Sequence, residues 1–295
     1  MASDKAEAGH IDHVRRILTL LEEVMAGDMG RARAWMQATL SQAPNAIAAD
    51  PNIALLAREL GLIPGPHVLA QINERGFYRP PYNCQISHCA AIYEDLFGLR
   101  REGFFVEAGG FDGESFSNTS FLADLGWSGI YVEPVAEFHR LCQIRHAPNP
   151  GVSVVHRALS DREGEIELRL AAYSSSASVE LQDALETLPG FADFVSAERQ
   201  SCRTQPLGAL LERSGAPKLF DLLVLDVEGH EVEALRGIDL AIWQPKAVII
   251  ETADCHPEFS RIPALVAATQ QCRAILEQHY DEMISDESNS IYVRR

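Results

Sequence analysis

The chain reads as an α/β protein with a mostly parallel sheet, an antiparallel C-terminal strand and a helical extension at its N-terminus. Three observations predict this. From residue 100 onward, short apolar runs alternate with helical stretches, the pattern of strands joined by crossover helices. The run at 103–108 leads into a glycine-rich turn, with an acid closing the next run. Before residue 63 there is no strand-like run, only apolar residues at helical spacing.

In chain order, Ile11, Val14, Ile17, Leu18, Leu21, Val24 and Met25 recur every three or four residues and predict a first helix. Gly27 and Gly30 interrupt it, and helices over 31–40 and 52–60 follow. Asp50 ahead of Pro51 is a capping acid followed by proline at the first helical position. Residues 1–80 form the extension, expected to serve as a dimerisation surface, lid or flap. Pro64, Pro66, Pro80 and Pro81 mark a loop-rich connector. Residues 81–295 form the main domain. Its strands are expected at 103–108, 129–133, 152–158, 220–226 and 246–252, with helices such as 134–146 and 230–238 between them. After the turn that starts at Arg162, the alternation of Ile166, Leu168 and Leu170 predicts an extra strand. Residues 173–205 read as a long polar insertion, a type of segment that often carries substrate contacts. A helix at about 262–278 and strands at 279–284 and 291–294 close the chain, the last pair as a hairpin.

Composition narrows the function. A net charge of −17 argues against nucleic acid and anionic membrane surfaces as partners, since both need clustered Lys and Arg. No apolar run approaches the ~20 residues of a membrane span. The N-terminus lacks an apolar signal core, and six cysteines without a CxxC pair read as reduced thiols, so a cytoplasmic protein is expected.

The segment GFFVEAGGFDGESFSN at 103–118 carries the most chemistry. A glycine turn after a strand lets a small cofactor lie against bare backbone. Glu107, Asp112 and Glu114 surround the glycines, so a pyrophosphate would meet like charge here. A cofactor with a cationic amino-acid end, such as S-adenosylmethionine, meets complementary charge. Glu133 ends the run GWSGIYVE, 20 residues after Gly113. An acid so placed suits both hydroxyls of a ribose. The compressed turn Gly109-Gly110-Phe111-Asp112-Gly113 lacks the GxGxxG spacing of dinucleotide sites.

These residues resemble the FkbM-type methyltransferases, S-adenosylmethionine-dependent O-methyltransferases of the class I (Rossmann-like) fold. The resemblance rests on FFVEAGGFDGESFSNTSFLADLGWSGIYVEP (104–134), RALSDREGEIEL (157–168), FDLLVLDVEGHEVEALRG (220–237) and SNSIYVRR (288–295). It runs from about Gln85 to the end and leaves out the N-terminal helices. It implies that Glu107, Gly109, Asp112 and Gly113 hold the methionine part of the cofactor, that Asn118 bonds its carboxylate, that Glu133 clasps the ribose, and that Ala158 and Leu159 line the adenine. Where the family often has an alanine–asparagine pair, this chain has Gly110-Phe111, and Phe111 is expected to reshape the cofactor's amino-acid end. Gln85 and His88 match polar positions of the family only loosely.

The chemical end is expected beyond the strand at 220–225, where ligands of open α/β sheets bind. Asp226, Glu228 and His230 are the candidate bases for an alcohol acceptor. Glu251, at the end of VIIE, and His256 are neighbours that join them. Asp226 with Glu251 is also a candidate pair for Mg²⁺ or another divalent cation, which would lower the acceptor's pKa. Glu231 and Glu233 read as helix-start acids that favour the positive helix end. His139, His146 and His156 are expected to have no chemical role. Ser174, Ser175 and Ser176 sit in a polar loop near the acceptor.

The reading is O-methyl transfer to a hydroxyl of a sugar, glycan or secondary metabolite, with homodimerisation through the N-terminal helices. The alternatives are an NAD-linked oxidoreductase and a non-catalytic adenosine-binding or interaction protein.

Overall fold

A computed structural model of the chain describes residues 3–63, 77–81, 83–171, 175–176, 178, 181–183, 186 and 195–295. Pro64, Pro66 and Ser174 lie outside these residues. Among the described helices none is long and apolar enough to cross a membrane.

Among the described residues, four helices come first: α1 (Ser3–Met25), α2 (Gly30–Gln42), α3 (Ala46–Ala49) and α4 (Pro51–Glu59). The cap expected at Asp50 forms. Its carboxylate accepts from the amides of Asn52 (2.8 Å) and Ile53 (3.2 Å), satisfying donors that open a helix. The apolar stripe of α1 (Val14, Ile17, Leu21) packs with Met36 and Leu56, and it shares one cluster with Phe138, Leu141, Leu168 and Leu170 of the main domain. The N-terminal helices thus pack against α7 and β5. Arg15 donates to Glu137 (2.8 Å) across this contact.

Next come α5 (Cys89–Phe97), β1 (Phe104–Ala108), α6 (Ser120–Leu125), β2 (Ser128–Val132), α7 (Ala136–His146) and β3 (Val152–Val155). A small excursion follows: β4 (Ala158–Leu159), β5 (Gly164–Ala171) and β6 (Val195–Gln205). The chain ends with α8 (Leu207–Arg213), β7 (Leu219–Leu225), α9 (Glu231–Arg236), β8 (Gln244–Glu251), α10 (Pro263–Leu276), β9 (Tyr280–Ser285) and β10 (Asn289–Arg294).

Seven strands form the main sheet in the order β3-β2-β1-β7-β8-β10-β9. The pairings β1–β2, β1–β7, β2–β3 and β7–β8 are parallel, and β10 runs antiparallel to both its neighbours. This is the mostly parallel class I arrangement with one reversed C-terminal strand. Strand alternation sends Val106 and Ala108 to the face covered by α8, α9 and α10, and Phe105 to the face covered by Tyr93 and Phe97 of α5. The chain leaves β1 in one direction for β2 and β3 and later returns beside it as β7. The strand order therefore switches between β1 and β7, and a crevice opens beyond their carboxyl ends.

One local expectation is corrected, and the polar insertion proves to contain a strand. The run 152–158 is not one strand: β3 stops at Val155, and Ala158–Leu159 pairs with β6 in a separate three-stranded sheet, order β4-β6-β5. The insertion 173–205 is not irregular throughout, because its last part is β6, antiparallel to β5. The sequence of β6, VSAERQSCRTQ, has little apolar alternation. It is held instead by its backbone ladder to β5 and by Cys202 packing in one cluster with Leu168 and Leu170.

Candidate active site

The glycine turn is shaped by what surrounds it. A Cβ on Gly109, whose φ is +84°, would lie 1.7 Å from the backbone oxygen of Asp226. At the switch point only glycine lets β1 and β7 stay paired to their ends. At Gly113, φ +80°, a Cβ would meet His146 and Cys142 at 2.9–3.0 Å. The C-terminal end of α7 holds this turn. His146 Nε2 donates to Gly113 O (3.0 Å) while its Nδ1 accepts from Asn149 (3.0 Å). This arrangement needs the neutral ring, and burial pushes the His146 pKa down to about 3. Buried Arg145 adds a two-pronged bond to Asp124 (3.0 and 2.7 Å). His139 and His156 stack on each other at 4.9 Å. None of these three histidines lines the cavity.

One cavity sits at the switch point. Its floor is Glu107, Ala108 and Gly109; one end has Val132, Glu133, Phe138, Ala158 and Leu159, with Ile166 and Leu168 from β5; Asp226, Glu228, His230, Gln85, Phe116 and Ser175 complete its wall. The structure thus brings Glu107, Gly109, Glu133, Ala158, Leu159, Asp226, Glu228 and His230 together. Asp112, Gly113, Asn118 and Glu251 stand behind the wall.

The acids divide by what they hold. Glu107 accepts from Ser117 Oγ (2.8 Å), from the Asn118 amide (2.9 Å) and from Thr119 Oγ1. Asp112 accepts from the amides of Glu114 (2.9 Å) and Ser115 (2.7 Å) and from Ser115 Oγ (2.7 Å). Both carboxylates are buried and brace the 113–119 segment. Glu133 accepts from the amides of Phe111 (2.8 Å) and Val135 (2.7 Å), and each of its oxygens has capacity for a further donor. Burial raises Glu107 and Glu133 to about 7. Phe111 packs on Phe138, ring centres 4.1 Å apart, a contact at the Glu133 end of the cavity.

At the opposite end Asn118 Nδ2 donates to Gln85 Oε1 (2.9 Å), and Gln85 Nε2 donates to Asp226 Oδ2. Cys84 donates to Asn118 Oδ1 (3.4 Å). Asp226 Oδ1 is buried without a hydrogen-bond partner. Carboxylate oxygens of Asp226, Glu228 and Glu251 lie within 4.8 Å of one another. Burial, then repulsion from Asp226, Glu228 and Glu231, holds Glu251 well above the usual carboxylate range; burial alone raises Asp226, against hydrogen bonds with Gln85 and Glu251 that lower it. Glu231, at the start of α9, accepts from the amides of Val227 (2.9 Å) and Gly229 (3.2 Å) in the turn that precedes the helix. His230 lies 3.4 Å from Ser160 Oγ, and burial lowers its pKa. His256 accepts at Nδ1 from the amides of Glu258 and Phe259 (both 3.2 Å) and does not line the cavity. His88 is exposed and precedes α5.

Three non-glycine residues of the cavity have left-handed backbone: Phe111 (φ +46°), Phe116 (+59°) and Glu228 (+55°). Such residues cost on the order of 1–3 kcal/mol each and persist only where their surroundings impose them. Sequence reasoning gave Gln85 little weight and passed over Phe116, Phe138 and Leu168. Gln85 lies far from any motif, and only the packing of α5 beside β7 brings it to Asp226. The alternation at Ile166–Leu168–Leu170 signalled a buried face but not which cavity it faces.

The chain matches the model of the "Methyltransferase FkbM domain" over residues 107–282. No curated protein matches it. Among solved structures, monomeric WbdD is 14% identical, covering 77% of this chain and 48% of its own, with a TM-score of 0.39. The chain therefore spans about half the length of that protein. The O-methyltransferase from Bacillus cereus in complex with SAH is 11% identical (77% and 87% covered, TM-score 0.39). The N-methyltransferase NodS from Bradyrhizobium japonicum WM9 is 14% identical (65% and 85% covered, TM-score 0.35). Scores this low carry no further argument. The family match includes the glycine turn, Glu133, Asp226 and Glu251, and it supports methyl transfer with S-adenosylmethionine as donor. The chain belongs to the FkbM methyltransferase family.

Proposed function

We propose that the protein transfers a methyl group from S-adenosylmethionine to a hydroxyl oxygen of a sugar, glycan or secondary-metabolite acceptor. The observation that carries this reading is one cavity at the switch point, with buried Glu133 at one end and Asp226 at the other. The separation suits a donor whose ribose and reactive sulfonium need different partners. In this reading Glu133 accepts from the ribose hydroxyls while Ala158, Leu159, Phe138 and Leu168 enclose the adenine, which favours an apolar slot. Gly109 brings backbone close to the methionine part. Glu107, Asp112, Gly113 and Asn118 act on the same end by fixing the segment around it.

Methyl transfer is an in-line displacement, so the protein's main task is alignment. Asp226, Glu228 and neutral His230 are the groups placed to take the hydroxyl proton. The Asp226–Glu228–Glu251 oxygens also form a hard donor set that fits a divalent cation. The unpartnered Asp226 Oδ1 supports that fit, and such a cation would lower the hydroxyl's pKa when bound.

Calorimetric titration with S-adenosylhomocysteine, with NAD in parallel, tests the reading. Micromolar affinity for the first and none for the second is expected. NAD binding would overturn it in favour of the oxidoreductase, and binding of neither would favour a non-catalytic protein. Repeating the titration with and without Mg²⁺ tests the cation.

A further inference from the structure

We propose that Asn289 is a fourth ligand of a divalent cation, offering its side-chain carbonyl oxygen beside the carboxylates of Asp226, Glu228 and Glu251; this rests on the cation reading given above. Asn289 opens β10 and is 3% exposed. Its Oδ1 is buried without a hydrogen-bond partner, and so is Asp226 Oδ1. A buried oxygen left unpaired is destabilising. Two of them on one sheet edge point to a group that both can bind.

Strand order puts them together. Asp226 follows β7, Glu251 ends β8 and Asn289 opens β10, and these strands are neighbours in the order β7-β8-β10. Leu225 pairs with Ile250, so Asp226 stands beside Glu251, and Glu251 pairs directly with Asn289. The Cβ atoms of residues paired in this way are about 5 Å apart. Alternation then sets the face. Val224, Ile249 and Ile291 pack in the cluster of Tyr93 and Phe97, whereas Leu225, Ile250 and Tyr292 pack in the cluster on the other side. Asp226, Glu251 and Asn289 are each two residues from the first set and share its face. Gln85 reaches Asp226 from that face.

The main chain of Asn289 is already committed. Its amide donates to Asp286 Oδ1 (2.7 Å), and its carbonyl accepts from the Asp286 amide (2.8 Å). The preceding carbonyl, of Ser288, accepts from the Thr252 amide (2.7 Å). The turn between β9 and β10 is thereby pinned to the end of β8, and the side-chain oxygen of Asn289 is left for the cluster.

The donor set names the ligand. Oxygens from three carboxylates and one carboxamide suit a hard divalent cation. Carboxylate oxygens of Asp226, Glu228 and Glu251 already lie within 4.8 Å of one another. Three ionised carboxylates exceed the charge of a divalent ion, so a fourth would add repulsion. A neutral carbonyl adds a ligand atom without that cost.

The test is titration of the full chain with Mn²⁺, read by electron paramagnetic resonance of the free ion, with S-adenosylhomocysteine affinity measured by calorimetry on the same proteins. The parent is expected to bind one Mn²⁺ and Glu251→Gln to lose it. Asn289→Ala should weaken Mn²⁺ binding at least tenfold. Asn289→Asp, which keeps an oxygen and adds charge, should bind at least as tightly as the parent. Both Asn289 variants should keep S-adenosylhomocysteine affinity within twofold, since Asn289 is not among the residues that line the cavity. Equal Mn²⁺ affinity in the parent and Asn289→Ala overturns the proposal, and so does a parent that binds no Mn²⁺. If Asn289→Ala fails to fold, Asn289→Asp decides, and weaker binding than the parent overturns the proposal. Failure of the parent to bind S-adenosylhomocysteine would instead overturn the donor site, and it is read separately from Mn²⁺ binding.

Discussion

Single carboxylates in this cavity do different jobs, and their environments tell them apart. Glu133 holds two backbone amides yet keeps acceptor capacity toward the cavity. Glu133→Ala is expected to weaken S-adenosylhomocysteine binding about tenfold, or about 1.4 kcal/mol; unchanged affinity by calorimetry would remove it from the donor site. Its pKa of about 7 adds a pH signature. Hydroxyl donors prefer the ionised carboxylate, so affinity should rise between pH 6 and pH 8. Glu133→Gln should flatten that rise. Asp226→Asn should abolish turnover while circular dichroism stays unchanged, because the amide keeps the shape but cannot take a proton or bring negative charge to a cation. Persistent turnover would place the chemistry on Glu228 or His230.

At the scale of elements, the site depends on how closely β1 and β7 approach. Gly109→Ala puts a methyl group 1.7 Å from the Asp226 carbonyl, where no side chain can yield. The variant is expected to lose its folded near-UV signature. Gly61→Ala also forces a residue with positive φ, but its Cβ meets nothing within 4 Å. That variant should fold with only a small loss of stability. The first turn of α4 supplies a milder case. Asp50→Ala removes two amide partners and should cost about 1 kcal/mol in urea unfolding.

At the scale of the whole molecule, the N-terminal helices join the rest of the chain through shared apolar packing, and buried carboxylates accumulate. Because Val14, Ile17 and Leu21 pack in the same cluster as Phe138 and Leu168, deletion of residues 1–62 should expose apolar surface and lower both the thermal midpoint and donor affinity. A truncated chain of full affinity and stability would reduce the extension to an independent module. Glu107, Glu133 and Glu231 are all raised from 4.5 to about 7, so between these values the folded state binds more protons than the unfolded one. Stability therefore falls as pH rises through 7. The thermal midpoint without ligand should climb as pH drops from 8 to about 6.5. Below that, His146, held at about 3 against an ordinary 6.5, opposes the gain, since only the unfolded chain protonates it. A midpoint that rises steadily toward pH 8 would contradict these shifts.

Local pattern was enough to define the alternating strands and helices, the Asp50 cap, the acidic glycine turn and Glu133 at the end of β2. Each depends on residues a few positions apart, where periodicity and turn chemistry act directly. The meeting of Glu133 with Asp226 followed from strand order, because the carboxyl ends of parallel strands share one edge. Tertiary structure alone decided the rest. It paired polar β6 with β5, broke the run 152–158 into two sheets, and laid Gln85 against Asp226 across 141 positions. It also turned Glu107 and Asp112 inward as braces and left Phe116 exposed. These outcomes depend on which distant groups satisfy a buried donor or acceptor. No local spacing encodes that choice, because the partners become neighbours only after the sheet has formed.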